Sequence, residues 1–208
     1  MSVKFTMAAV LKSMDTGRGI TAPDNTTKAR LERAAVNLFG AQSVDGTSMR
    51  EIAKAAQMSL GAVYGHYPSK DILAHTMMAH THRGLADMID RSYKEGGSLR
   101  DIVERIIDGY CAAADEDWEL FRYYLINLHR FSDLSEAAKD SPVETAAKVI
   151  RSAIKVGQMP KKPATLTASM ALGVMMQAGL ARSYGQIEGP LSQYKTHFNA
   201  AVMAVLEA

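Results

Sequence analysis

The stretch GTSMREIAKAAQMSLGAVYGHYPSK, residues 46–70, decides how the chain is read. Ser48 and Glu51 stand at capping-box spacing, where the hydroxyl and the carboxylate each satisfy an orphan backbone N–H. Met49, Ile52, Ala53 and Ala56 then recur as the inward face of a helix. The segment QMS (57–59) leaves room only for a tight turn. Ser59 caps a further helix, from Leu60 to about Tyr67, and Pro68 ends it. Helix, short turn, helix is the helix-turn-helix layout, here about 48–67.

The second of these helices is poorly built for its own sake. Gly61 and Gly65 each cost about 1 kcal/mol against alanine in a helix interior. Leu60, Val63 and Tyr67 fall at core spacing, which leaves Gly61, Ala62, Tyr64, Gly65 and His66 facing outward. Small residues let a helix backbone come close to another surface. In a DNA major groove, alanine meets a thymine methyl, and tyrosine or histidine bonds phosphate. Lys70 adds to this. A lysine in a first helical turn opposes the helix dipole, yet beside Ser69 and unpaired N–H groups it strengthens an anion site. Arg50 presents the same mismatch in the helix before.

Working outward, Leu31, Ala35, Leu38 and Phe39 mark a helix over 27–39, with Gly40 expected to stop it. Residues 1–24 read as a flexible, basic arm carrying Lys4, Lys12 and Arg18, positioned to enter a minor groove or to add nonspecific affinity. Residues 1–70 hold nine Lys/Arg against five Asp/Glu, a balance of +4, whereas the whole chain of 208 residues carries only +2. The positive charge therefore gathers where the motif lies. The single cysteine, Cys111, excludes an internal disulfide framework and fits a reducing compartment, so a cytoplasmic location is expected. No run of about 18 uninterrupted apolar residues occurs, and no membrane partner is expected.

Residues 27–73 resemble the DNA-binding domain of TetR-family transcriptional regulators. The resemblance rests on Phe39-Gly40, on Ser48-Met49-Arg50-Glu51-Ile52-Ala53, and on Tyr64-Gly65-His66-Tyr67-Pro68-Ser69-Lys70. It implies an all-α chain: an N-terminal three-helix DNA-binding domain over 25–72, then a helical effector-binding and dimerisation domain over 73–208. It implies that Ser48 bonds a phosphate, that Arg50 reaches a base edge or phosphate, and that Ser59, Gly61 and Ala62 face bases. Tyr64, His66 and Lys70 would grip phosphates, and Tyr67 would tie its helix to the first one. The family's turn usually carries glycine where this chain has Gln57.

The remainder parses as helices near 70–93, 99–115, 117–131, 142–157, 164–187 and 190–207, broken by Gly96-Gly97-Ser98, Ser141-Pro142, the stretch 157–163 and Gly189-Pro190. The segment TASMALGVMMQAGLARSY is apolar or small on nearly every face and should be buried all round. Ala168, Ala171, Leu172, Met175 and Gly179 form one stripe, and Phe198, Ala201, Val202 and Val205 another. Paired with symmetry mates, the two stripes would make a four-helix homodimer interface. Tyr110, Cys111, Trp118, Phe121, Tyr124 and His129, with Met175 and Met176, are candidates for a small-molecule effector pocket. No cofactor and no metal site is expected.

The function these readings imply is repression. Two readers on a palindromic operator are released when a small, largely apolar effector binds a conformation that misplaces them, the helix from Lys70 transmitting the change. Two alternatives stay open on sequence. One is a helical ligand-binding dimer acting as an adaptor without DNA. The other is an enzyme pairing Cys111 with His129 as nucleophile and base.

Overall fold

A computed structural model of the chain describes residues 26–131 and 141–208, and the basic arm lies outside them. Among the described residues the chain is helical without strands. In chain order the helices are α1 Thr27–Gln42, α2 Met49–Ala55, α3 Leu60–His66, α4 Lys70–Lys94, α5 Leu99–Glu116, α6 Trp118–Asn127, α7 Pro142–Lys155, α8 Ala164–Ser183 and α9 Lys195–Glu207. Short 3-10 turns extend α6 (Leu128–Phe131) and lead into α9 (Leu191–Tyr194).

Side-chain caps set the helix starts. Thr26, Ser48, Ser59, Ser69, Ser98, Asp117 and Ser141 each accept a backbone N–H at the head of α1 to α7 in turn. Each such cap is worth about 1 kcal/mol. Ser48 with Glu51 and Ser98 with Asp101 complete the reciprocal box.

The ends are less local. Gly40 does not stop α1. The helix runs through it to Gln42, and Gly40 is buried beside α6, where an added Cβ would make ordinary contact with Glu119 at 3.6 Å. The turn comes at Ser43, whose φ is 66°.

The helices α1, α2 and α3 form a small body closed by Phe39, Ile52, Val63 and Tyr67, all buried. The 25 residues of α4 extend about 37 Å and link that body to the rest. The expected domain line at residue 72 falls inside α4, whose Leu73, Ala74, Met77 and Met78 are wholly buried.

The larger body packs α4 on α5 and α7, α8 on α7 and α9, and α9 on α5. It also grips the small body directly, because α6 lies along α1. The Phe39 and Tyr123 rings are 5.8 Å apart, and the Tyr123 hydroxyl donates to the Ala74 carbonyl at 2.7 Å.

By length and composition α8 is apolar enough to cross a membrane, but it packs here between α7 and α9. The expectation that it is buried all round does not hold. Thr167, Ala168, Ala171, Met175 and Gly179 face inward, while Leu166 and Met170 are exposed.

Candidate nucleic-acid interface

The turn between α2 and α3 closes as a Schellman motif. Met58 N–H donates to the Ala53 carbonyl at 2.9 Å and Gln57 N–H to the Lys54 carbonyl at 3.2 Å. The motif needs a left-handed residue, and Gln57 supplies it with φ 56°. The ends of α7 and α8 close in the same way through Gly157 and Gly185. Gln57 thus takes the glycine geometry at the cost of a Cβ.

This turn fixes which side of α3 is free. Val63 and Tyr67 are buried and Leu60 is half-buried. Gly61, Ala62, Tyr64, Gly65 and His66 are exposed. A Cβ built at Gly61 or Gly65 meets nothing within 4 Å. Nothing among the described residues requires glycine there, although each costs about 1 kcal/mol in helix propensity. The bare strip is suited to close approach by something outside.

Beside the strip lies the exposed face of α2. Arg50 and Lys54 are exposed on it. Ser48 is engaged: its hydroxyl accepts from Glu51 N–H and donates to the Glu51 carboxylate at 2.7 Å. Those bonds hold the Glu51 carboxyl below its usual range. A phosphate at Ser48 would meet that carboxylate, so the hydroxyl is first a cap. Ser59 likewise caps α3 through Ala62 N–H at 3.2 Å and remains exposed.

Lys70 is not simply a surface cation at a helix start. Its ammonium donates to the carbonyls of Asp45 at 3.1 Å and Thr47 at 2.9 Å, both in the loop between α1 and α2. One of its three protons is left for an outside acceptor. The same loop is held from the larger body by Arg130, which bonds the Asp45 carboxylate at 2.5 Å and Asp71 at 2.9 Å.

Tyr67 ties α3 to α1 through a buried polar contact. Its hydroxyl donates to Glu32, which is wholly buried and 3.7 Å from Lys28. Burial raises the Glu32 carboxyl, against the pull of Tyr67 and Lys28. Burial, then Glu32 itself, pushes the Tyr67 phenol upward.

The proposed effector residues do not form one pocket. Tyr110, Phe121 and Tyr124 pack as a buried cluster, the first two edge to face with ring centroids 4.9 Å apart. Their polar ends are occupied: Tyr110 donates to the Met175 carbonyl at 3.0 Å, and the Tyr124 hydroxyl lies 2.9 Å from His82 Nδ1. Trp118 lies beneath the Arg182 guanidinium at 3.9 Å, and His129 is exposed on the turn after α6.

Cys111 is fully buried, which pushes its thiol up to about 12. A buried protonated thiol and a surface imidazole do not make a nucleophile–base pair. Met176 is half-buried and does not line the cavity.

The cavity itself, about 50 Å³, lies between α5, α7, α8 and α9. Val103, Ile106 and Ile107, Ala146, Val149 and Ile150, Ala168, Ala171, Leu172 and Met175, Val202 and Leu206, with Leu99, enclose it. Of the residues expected to hold an effector, Met175 alone is among them.

The expected dimer stripes also need correction. Ala168, Ala171, Met175, Gly179, Phe198 and Val202 are buried within one protomer. A Cβ at Gly179 would stand 2.7 Å from Leu125, so that glycine serves the approach of α8 to α6. Leu172 and Val205 are half-buried and Ala201 is exposed. The outward residues are Leu166, Met170 and Tyr184 around α8 and Ala200, Ala201 and Ala204 on α9.

The sequence model of the bacterial regulatory proteins of the tetR family matches residues 32–77, from within α1 into α4. The HTH-type transcriptional repressor Rv3405c of Mycobacterium tuberculosis is 30% identical over 108 residues, 48% of this chain and 53% of that protein. The match thus spans about half the length of that curated relative. The whole fold has relatives too. A TetR-family transcription regulator of Marinobacter aquaeolei VT8 superposes with a TM-score of 0.72 at 21% identity, covering 89% of this chain and 98% of that one. The regulator FadR of Bacillus subtilis, solved with stearoyl-CoA, superposes with 0.75 at 13% identity, covering 86% and 100%. Motif, packing and likeness agree that residues 32–77 form a helix-turn-helix body of the tetR family of bacterial regulatory proteins, and the chain as a whole shares the fold of TetR-family regulators.

Proposed function

We propose that the chain is a homodimeric repressor that acts in the cytoplasm, binds a palindromic operator, and is released from it by a small apolar effector. Residues 25–72 serve as the DNA reader and 73–208 as the effector and dimer domain. The observation that carries the reading is the strip at Gly61 and Gly65, open to solvent where a Cβ would meet nothing, flanked by exposed Tyr64, His66, Arg50 and Lys54. Such a helix lies in a major groove with its backbone close to base edges, and the flanking groups take phosphates.

Dimerisation draws on the outer face of α8, where Leu166, Met170 and Tyr184 are exposed, together with the small residues of α9. An effector is supported by the cavity beside Met175. At about 50 Å³ it is smaller than any drug-sized molecule, so the four helices around it must spread to admit one. That displacement is the differential binding that linkage requires. Stearoyl-CoA in the FadR of Bacillus subtilis shows an acyl ligand in a like fold.

The test is selection of bound fragments from the source genome, followed by anisotropy titration against random DNA at fixed salt. The reading predicts a preference of about a thousandfold or more, by a species of dimer mass in light scattering. No preference for any fragment, with or without native metabolites, contradicts it.

A further inference from the structure

The loop between α1 and α2, residues 43–48, sets how α2 is presented. It has little freedom of its own. Val44 and Thr47 are buried, and the Thr47 hydroxyl donates to the Ser43 carbonyl at 2.8 Å. A Cβ at Gly46 would stand 2.3 Å from the Gln42 carbonyl oxygen. Lys70 holds two of the loop's carbonyls. The loop therefore moves as a unit, and whatever grips it from elsewhere steers α2.

That grip comes from the larger body. Phe131 is buried at the end of α6, with its ring 5.8 Å from that of His75, so the turn carrying Arg130 is anchored. From it the guanidinium reaches Asp45 in the loop at 2.5 Å and Asp71 in the first turn of α4 at 2.9 Å. At the other end of α6, Asp117 takes both terminal nitrogens of Arg33 from α1, at 2.8 and 2.7 Å. The reader is thus pinned to α6 at both ends. Only the Arg130 end touches the loop that presents α2.

We propose that Arg130 is a positioning residue for DNA binding: by bridging Asp45 and Asp71 it fixes the loop ahead of α2 against the start of α4, so that a shift of α6 moves the reader. This rests on the DNA-binding reading above. Transmission then runs through α6 and its final turn as well as through α4. A fork of planar N–H donors suits two carboxylates at once, which a lysine ammonium does less well.

The test uses the full-length protein in two measurements. Hydrogen exchange follows the amides of residues 44–48 without DNA, and anisotropy follows binding to the selected operator fragment. Arg130→Ala should speed exchange in that loop and weaken operator binding by about five- to tenfold, the scale of a small ion-pair network. Asp45→Asn with Asp71→Asn should do the same, and the triple variant should lose nothing further. Arg130→Lys should fall between.

Unchanged exchange and affinity in Arg130→Ala overturn the proposal. So does a triple variant restored to wild-type affinity, since Arg130 would then only neutralise two carboxylates near DNA. If Arg130→Ala fails to fold, the Asp45/Asp71 variant decides by the same two measurements. A wild type that binds no fragment sinks the DNA-binding reading instead, and the exchange result still judges the clamp.

Discussion

The ammonium of Lys70, in the first turn of α4, donates to the backbone carbonyl of Thr47, one residue ahead of the cap of α2, at 2.9 Å. Two helices distant in sequence thus share one cation. Lys70→Ala removes that bond and its neighbour to Asp45, so it should lower stability by about 1–3 kcal/mol. Operator binding should weaken as well, with the salt slope falling by about 1 per reader. Urea melts and salt-dependent anisotropy measure the two effects. A variant as stable as wild type would show that the carbonyl bonds contribute nothing net.

Gln57 should be replaceable to advantage. It occupies a left-handed position that Gly157 and Gly185 fill at two further turns of this kind. Gln57→Gly should raise stability by about 0.5–1 kcal/mol, the relief of a left-handed Cβ less the added freedom of the unfolded chain. A shift in the urea midpoint with unchanged slope would register it. A neutral or destabilising result would mean that the Gln57 side chain makes a compensating contact.

Glu32 makes the reader sensitive to pH. Its folded carboxyl titrates above its unfolded value, chiefly because it is buried. The stability tied to that shift is fully present below the unfolded carboxylate range and is lost as pH rises through the raised folded value. Glu32→Gln keeps an acceptor for Tyr67 and removes the titration. The difference in stability, variant minus wild type, should therefore become more favourable to the variant as pH rises through that window. Thermal melts across pH 4–8 (an interval on the order of the one where such carboxyls titrate) measure it. A difference that is flat or of opposite slope contradicts the assignment.

What the sequence disclosed was local. Ser48 and Glu51, Ser59, Ser69, Ser98 and Ser141 announce helix starts because a cap acts within its own first turn. The outward strip of α3 was legible for the same reason: spacing within seven residues decides it.

What stayed hidden was settled over long range. Gly40 reads as a stop until α6 is seen packed against it. Arg130 finds Asp45 across 85 positions and Asp71 across 59, with no periodic signal to mark either pairing. In α8 both faces are apolar, so hydropathy could not say which one the core takes. The core took the stripe expected to face a partner, and the opposite side stayed open. The aromatic residues of α5 and α6 read as pocket walls, yet the hydroxyls of Tyr110 and Tyr124 are taken by the Met175 carbonyl and by His82.

The central claim is that the bare face of α3 lies against a duplex, and Gly61→Leu tests it most directly. A Cβ at position 61 meets nothing within 4 Å among the described residues, and leucine is the better helix former, so the variant should be as stable as wild type or more so by up to about 1 kcal/mol. Operator affinity, measured beside stability on the same preparation, should fall by about a hundredfold or more, since the side chain would stand between helix and base edges. A variant that folds normally and binds the operator as tightly as wild type would contradict the account.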